Sequence, residues 1–333
     1  APAFGDILLS SIVTNSTTGF RMLGPVSSSL FSLGASSAGD VNNDGIDDIL
    51  APALNTRGNS GTVYIIYGRN VPAGAPKFGD ILASSIVAGS SLGFRILGVA
   101  AGDYLGQAVA PVGDVNGDGF GDVIVASQED QAAVLFGSAT AGQGIWLISD
   151  LTGAEKGFLL VLDSMDGSRP TYLSAAGDAN GDGIDDFLIG EGFYSFDYGR
   201  SAPGVVYVVY GRASTEPVLD YAFDEFLSGT DGIRIIGNDE DGALGMVVAG
   251  GGDFNQDGVT DILISSYVGQ DYMAGKVRVL SLGAPYPTAA PSIGVAGEPT
   301  LAPTMDPAIL ASVLSSPTYQ VRNGFAFAVR SAA

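Results

Sequence analysis

The stretch DVNGDGFGD, Asp114 to Asp122, places three carboxylates and an asparagine within nine residues. Like charges this close repel one another, so the segment resists compaction in water unless something compensates the charge. The oxygen-bearing side chains fall at loop positions 1, 3, 5 and 9, as Asp114, Asn116, Asp118 and Asp122, and Gly119 at position 6 lets the backbone turn sharply. That spacing suits a hard cation. Ca2+ takes six to eight oxygens at about 2.3–2.6 Å, and the main-chain carbonyl at position 7, on Phe120, supplies another. Mg2+ fits less well, because it favours a small, nearly octahedral shell and keeps several of its waters.

The same pattern occurs at DVNNDGIDD (Asp40, Asn42, Asp44, Ile46 and Asp48 at positions 1, 3, 5, 7 and 9), DANGDGIDD (Asp178, Asn180, Asp182, Ile184, Asp186) and DFNQDGVTD (Asp253, Asn255, Asp257, Val259, Asp261). Ordinary Asx-rich turns also favour Asp, Asn and Gly, but they do not require Asp at positions 1, 5 and 9 four times over. An EF-hand loop would need a bidentate Glu at position 12 and flanking helices. Position 12 is instead Ala51, Val125, Ile189 and Ile264, inside the apolar runs DDILAPAL, GDVIVAS, DDFLIGE and TDILISS. These are short and bounded by turn residues, as buried strands are, so each loop leads into a β-strand. Four Ca2+ ions, one per loop, are the expected cofactors.

The composition limits the alternatives. A formal net charge of −22 leaves no basic stripe for nucleic acid or an anionic membrane surface. No run approaches the ~20 apolar residues of a membrane-spanning helix. The start APAFGD lacks a charged segment followed by an apolar one, so any signal peptide is expected to have been removed. Cysteine and histidine are both absent, which excludes disulfides, thiolate or imidazole zinc sites and every His-based triad. Weakly selective calcium loops make most sense outside the cell, and the sequon NST at Asn15 fits a secreted glycoprotein.

The loops begin at 40, 114, 178 and 253, in steps of 74, 64 and 75 residues. FGDILLSSIVTNSTTGFRMLG from Phe4 returns as FGDILASSIVAGSSLGFRILG from Phe78, and GTVYIIYGR from Gly61 returns as GVVYVVYGR from Gly204. Each unit reads as four strands: one entering the loop (YLGQAVAPVGD), one leaving it (DVIVAS), a third (AAVLFGS) and a fourth of the GFRILG type. Four-stranded units in tandem, none able to bury both its faces alone, describe the blades of an all-β propeller. The acidic loop, with Leu-Gly before it (Leu33-Gly34, Leu105-Gly106, Leu244-Gly245) and an apolar strand after it, resembles the FG-GAP repeat of integrin α-subunit propellers over residues 4 to 283. Unit three carries YLSAAGD and lacks the Leu-Gly step, which predicts a distorted blade.

Integrin propellers have seven blades, and this chain shows four units. The fourth-strand-like GFRML at Gly19 to Leu23 is expected to complete the last unit, which ends on GKVRVLSLG, and so to close a four-bladed ring; the alternative is part of a larger, seven-bladed propeller. Residues 284–333 form a separate region, a Pro-rich linker followed by TYQVRNGFAFAVRS, whose Asn323-Gly324 marks a hairpin.

The resemblance implies a non-enzymatic, extracellular adhesion or recognition module, with calcium loops on one propeller face and ligand on the other. Its partner would be an extracellular protein or glycan, met by the connections around Ser138 to Thr152 and Tyr194 to Pro203, with Trp146, Tyr194, Phe196 and Tyr198 as anchors. Two alternatives stand beside it. One is a structural subunit of a surface coat, sheath or filament; the other is a glycan hydrolase using carboxylates outside the loops, such as Asp163, Glu191 or Glu225. Those acids read more simply as solvated loop residues, and the arginines of the GFR segments (Arg21, Arg95) and of GIR (Arg234) as partners of loop acids.

Overall fold

The computed structural model describes residues 12, 19–72, 79–128, 131–139, 145–151, 156–161, 171–192, 204–213, 221–222, 231–237, 241–268, 275–282, 319–322 and 325–328. Short strand β1 (Met22–Leu23) precedes four antiparallel blades. Blade one holds β2 (Ser36–Gly39), β3 (Asp48–Ala53), β4 (Thr62–Ile66), a connecting strand β5 (Ile81–Leu82) and β6 (Gly93–Leu97). Blade two holds β7 (Ala108–Gly113), β8 (Asp122–Ala126), β9 (Gln131–Leu135), the connector β10 (Ile145–Leu147) and β11 (Gly157–Val161). Blade three follows with β12 (Thr171–Gly177), β13 (Asp186–Glu191), β14 (Val205–Val209), the connector β15 (Tyr221–Ala222) and β16 (Gly232–Ile236). Blade four comprises β17 (Asp241–Gly242), β18 (Val248–Gly252), β19 (Asp261–Val268) and β20 (Gly275–Leu280). A hairpin, β21 (Tyr319–Arg322) with β22 (Phe325–Ala328), occupies the C-terminal region where Asn323-Gly324 predicts one. Helix is confined to 3-10 turns at Ala83–Ser85 and Ile148–Leu151 among the described residues, and none is long and apolar enough to cross a membrane.

Every acidic loop joins the first strand of a blade to the second. The first strand slips register immediately before the loop, at Ser37/Gly39, Pro111/Gly113, Ala175/Gly177 and Gly250/Gly252. The second residue of each pair is a glycine with positive φ (71°, 84°, 69° and 81°), which an L side chain would resist, so the bulge bends the chain into the loop at the same place each time. Blade three shares this register, and the predicted distortion is absent. The Leu-Gly step lies outside the ladder, so its loss leaves the pairing of β12 with β13 intact.

Alternation along the third strands sends neighbouring side chains to opposite faces. In β4, Val63 and Ile65 pack forward with Val123 and Val125 of blade two, while Tyr64 and Ile66 face backward with Ile81 and Ile86. Val134 and Phe158 of blade two meet Phe187 and Ile189 of blade three, and Val206 and Val208 of blade three meet Ile262 and Ile264 of blade four. The inner strands lie side by side in one series, β2, β7, β12, β18.

The connectors add pairing that the repeat did not reveal. β10 runs parallel to β6 of blade one (Trp146 opposite Ile96), and β15 runs parallel to β11 of blade two. Part of the connection from Ser138 to Thr152 is therefore built into the blade sheets. In the same manner β1 runs parallel to β5, with Met22 opposite Ile81. The fourth strands β6 and β11 make the same parallel pairing with a connector, which fits the reading of GFRML as a fourth strand; the expected pairing with β20 is not made among the described residues. The segment lies against the backward face of blade one, and β20 has no strand partner except β19 among the described residues.

The Leu-Gly step locks blade to blade. Leu105 bridges to Gly61 and Leu244 to Gly204, each glycine belonging to the preceding blade. A Cβ on Gly61 (φ 82°) would stand 2.3 Å from the Leu105 carbonyl oxygen, whereas one on Gly89 (φ 75°) would meet nothing within 4 Å. Gly61→Ala is expected to cost about 2–4 kcal/mol, strain plus overlap, and Gly89→Ala only about 1–2 kcal/mol from strain. Thermal melting of the two variants checks this; equal losses would count against a blade-locking role for Gly61.

Candidate metal centre

The four loops share one hydrogen-bond plan. At the quoted loop, Asp114 Oδ1 accepts from the Asp118 N–H (3.0 Å) and its Oδ2 from the Gly119 N–H (2.8 Å). Asn116 Oδ1 also accepts from Asp118 N–H (3.0 Å), and Asp118 Oδ1 accepts from the Phe120 N–H (3.0 Å). Asp40, Asn42, Asp44 and Ile46 repeat these bonds, as do the sets from Asp178 to Ile184 and from Asp253 to Val259. The position-6 glycines Gly45, Gly119, Gly183 and Gly258 all have φ between 86° and 91°. The oxygens at positions 1, 3 and 5 are thus held around a turn that only glycine makes without strain.

Position 9 is different. Asp48, Asp122 and Asp186 are buried, and both oxygens of each carboxylate accept main-chain bonds. Asp122 Oδ2 takes the Val115 N–H (2.9 Å) at the loop entrance, and Oδ1 takes the Gly137 N–H (2.8 Å) at the exit of the third strand. Asp48 binds Val41 and Gly68, and Asp186 binds Ala179 and Gly211, in the same way. These aspartates, read from the sequence as ligands alone, also fasten the loop to its blade. A carboxylate has about four lone-pair sites, so both roles are compatible. The recurring glycine of YGR and FGS carried the signal, because a Cβ at Gly68, Gly137 or Gly211 would overlap the carbonyl oxygen at position 8 of the blade's own loop.

The loops are also chained to one another. The position-8 N–H of each loop donates to the position-1 carbonyl of the loop before it: Gly121 to Asp40 (2.9 Å), Asp185 to Asp114 (3.3 Å) and Thr260 to Asp178 (2.9 Å). Asp185 Oδ2 in turn accepts from the Asp114 N–H (2.9 Å). Neither the position-8 nor the position-1 backbone role was legible in the sequence, since main-chain groups leave no residue signature.

Burial, opposed by the two backbone bonds and reinforced by the nearby loop acids, pushes the carboxyl of Asp48 up to about 6, Asp186 to about 7 and Asp122 to about 8. In loop four Leu282 stands where the other blades have glycine; Asp261 Oδ2 accepts from the Phe254 N–H (2.7 Å), but Oδ1 is buried without a hydrogen-bond partner. Asp257 is held below the usual carboxylate range, first by the Ser281 hydroxyl (2.8 Å). Among the described residues no three Asp or Glu side chains converge into an ion cage by themselves. A cation here would have to draw also on the Asn oxygen and the position-7 carbonyl, both of which suit Ca2+. The crowded acids and the orphaned Asp261 oxygen fit such an ion.

The other candidates are dispersed. Glu191, expected to be solvated, is buried at the end of β13. Arg21 pairs with Asp80 (Nε to Oδ1, 2.9 Å) and not with a loop acid, and Arg95 lies beside Tyr64. Asn15, Asp163, Tyr194, Phe196, Tyr198 and Glu225 lie outside the described residues, as do the side chains of Ile145 and Trp146.

Residues 33–66 and 244–280 match the FG-GAP repeat model, each span opening on the leucine of a Leu-Gly step and running through an acidic loop to the third strand. The chain is 27% identical over 248 residues to integrin alpha pat-2 of Caenorhabditis briggsae, and 28% identical over 175 residues to integrin alpha pat-2 of Caenorhabditis elegans. These matches cover 70% and 51% of the chain but only 18% and 13% of the relatives. Repeat model, relatives and antiparallel blades agree: this chain carries FG-GAP repeats and is similar to integrin α chains.

Proposed function

We propose that the chain is a calcium-stabilised extracellular recognition module, in which four Ca2+ ions set the stiffness of the propeller and a partner protein or glycan binds elsewhere on its surface. The observation that carries this reading is the chaining of the loops, position 8 to position 1, across all three blade junctions. An ion at one loop orders the carbonyl or the N–H that the next blade uses. The acids so regularly spaced are committed to this framework, and with no His or Cys the commonest general bases and nucleophiles are missing, so binding is favoured over catalysis. The relatives being integrin α chains supports adhesion or recognition as the task.

Calcium is expected to bind with dissociation constants of about 10⁻⁴–10⁻³ M, as in extracellular modules. An ion that binds only the folded chain, at 100-fold excess, stabilises it by about 2.7 kcal/mol per independent site. Chelation should therefore lower the melting temperature markedly, and Asp118→Ala should remove part of the calcium-dependent gain. Superimposable melting curves with and without chelator would refute the role. Calorimetric titration that detected fewer than two sites would do the same.

The sign of the pH response follows from position 9. The carboxyls of Asp48, Asp122 and Asp186 lie above their unfolded values, so their contribution to stability is complete below about pH 4 and is lost as pH rises through about 6 to 8. In chelator, stability should fall across that window, and Asp122→Asn should flatten the fall at its upper end. Saturating calcium should abolish the trend, because a bound cation favours the charged forms. Denaturant titrations at a series of pH values, with and without calcium, measure this directly.

A further inference from the structure

A second line of hydrogen bonds joins the buried aspartates of successive blades, and it passes through residues outside the expected ligand set. The residue at loop position 2 serves two blades at once. Its N–H donates to its own position-9 carboxylate, Val41 to Asp48 Oδ2 (3.1 Å) and Val115 to Asp122 Oδ2 (2.9 Å). Its carbonyl accepts from the next blade, just past the end of the third strand: Ser138 N–H donates to Val41 (3.0 Å) and Arg212 N–H to Val115 (2.8 Å). The residue before each of these donors, Gly137 or Gly211, gives its own N–H to the next position-9 carboxylate, Asp122 Oδ1 (2.8 Å) or Asp186 Oδ1 (2.9 Å). Asp48, Asp122 and Asp186 are thus linked through two main-chain relays. A Cβ on Gly137 would stand 2.7 Å from the Val41 carbonyl oxygen, and one on Gly211 2.8 Å from that of Val115, so each strand exit approaches the preceding loop closely.

The relay stops before loop four. Asp186 Oδ2 takes the Ala179 N–H (2.9 Å), as its counterparts do, but no N–H reaches the Ala179 carbonyl among the described residues. At the exit of β20 Leu282 stands in place of the glycine, and the Oδ1 of Asp261, a residue 1% exposed, has no hydrogen-bond partner. Among the described residues the Thr260 to Asp178 bond (2.9 Å) is the one backbone link between loops three and four. The position-5 carboxylate of loop four is held instead from within its own blade, by the Ser281 hydroxyl (2.8 Å).

We propose that loops one, two and three bind Ca2+ with positive cooperativity and that loop four binds independently of them, an inference that rests on calcium occupying these loops. The coupling comes from shared ordering. An ion on one position-9 carboxylate fixes both of that carboxylate's backbone donors. One donor is residue 2 of the same loop, whose carbonyl sets the strand exit of the next blade. The other is the exit glycine, whose neighbour holds residue 2 of the loop before. The adjacent position-9 carboxylate is then offered to its own ion with a donor already placed, so the second ion orders less of the chain than the first. Direct electrostatics acts the other way, because an ion in one loop weakens the negative potential that attracts the next. That field is screened beyond about 8 Å at 0.15 M ionic strength, whereas the hydrogen-bonded path is not. Coupling is reciprocal, so loop two, with a relay on each side, has the largest influence on the others.

A calcium titration of the 333-residue chain at about 0.15 M ionic strength, followed through the amide resonances of Gly45, Gly119, Gly183 and Gly258, reports each loop separately. Loops one to three should fill together with Hill coefficients above about 1.5, and loop four with a coefficient of about 1. Ser138→Pro deletes the N–H that the Val41 carbonyl accepts and alters no expected ligand. It should lower the apparent affinity of loop one at least about fivefold and leave loop four unchanged. Asp118→Ala, which disables loop two and leaves the relay bonds in place, should weaken loops one and three by a similar factor. Melting in saturating calcium shows whether each variant is folded, and the wild-type titration and Asp118→Ala decide the matter if Ser138→Pro is not. Four ions bound independently, or wild-type affinity at loops one and three in Asp118→Ala, overturn the inference and leave the calcium-stabilised module standing. An equal loss at loop four, the mark of general loosening, overturns it as well. A chain that binds no calcium overturns both.

Discussion

A buried aspartate at the end of each acidic loop is the constraint on which the molecule turns. Its two oxygens take main-chain N–H groups from opposite ends of the blade, as Asp122 takes Val115 and Gly137, so loop entrance and strand exit are clamped by one side chain. Charged hydrogen bonds of this kind are strong in a low-dielectric setting, but the charge must first be desolvated. Burial is the main reason these carboxyls sit so far above their ordinary range, and the other loop acids add to it. A cation would relieve both problems together. Loop four, where Leu282 replaces the clamping glycine and Asp261 Oδ1 is left without a partner, lacks one arm of the clamp.

Around this clamp the blades follow from packing. Strand residues alternate between a forward and a backward face, and each forward face is covered by the second strand of the next blade. Close approach at the Leu-Gly step depends on glycines that admit no Cβ, because the neighbouring backbone occupies its place. The loops then bond one to the next, which concentrates the acidity of a chain of formal charge −22. Binding energy from a divalent ion would act where blade meets blade.

The contacts between blades also show in which apolar residues are exposed. Val277, Val279 and Leu33 are apolar and exposed at sites whose counterparts are buried. Lys276 and Arg278 put charge on the backward face of β20 only, so its forward face remains apolar.

The acidic loops, the strand that follows each, the four-strand unit and the hairpin around Asn323-Gly324 were all legible in the sequence, because spacing of Asp, Asn and Gly and short apolar runs report local backbone chemistry. The fate of GFRML was not legible. Its similarity to GFRIL identified a fourth strand, but its parallel partner β5, and the lack of a pairing with β20 among the described residues, depended on how the blades stand in space. The double duty of Asp48, Asp122 and Asp186 was likewise hidden, since their partners are backbone N–H groups up to 25 residues away. Nor did the missing Leu-Gly step of unit three distort its ladder, for the step belongs to the contact between blades and not to the sheet itself. Residue type and spacing determined what each repeat is; long-range backbone contacts, which carry no residue signature, decided how the repeats join.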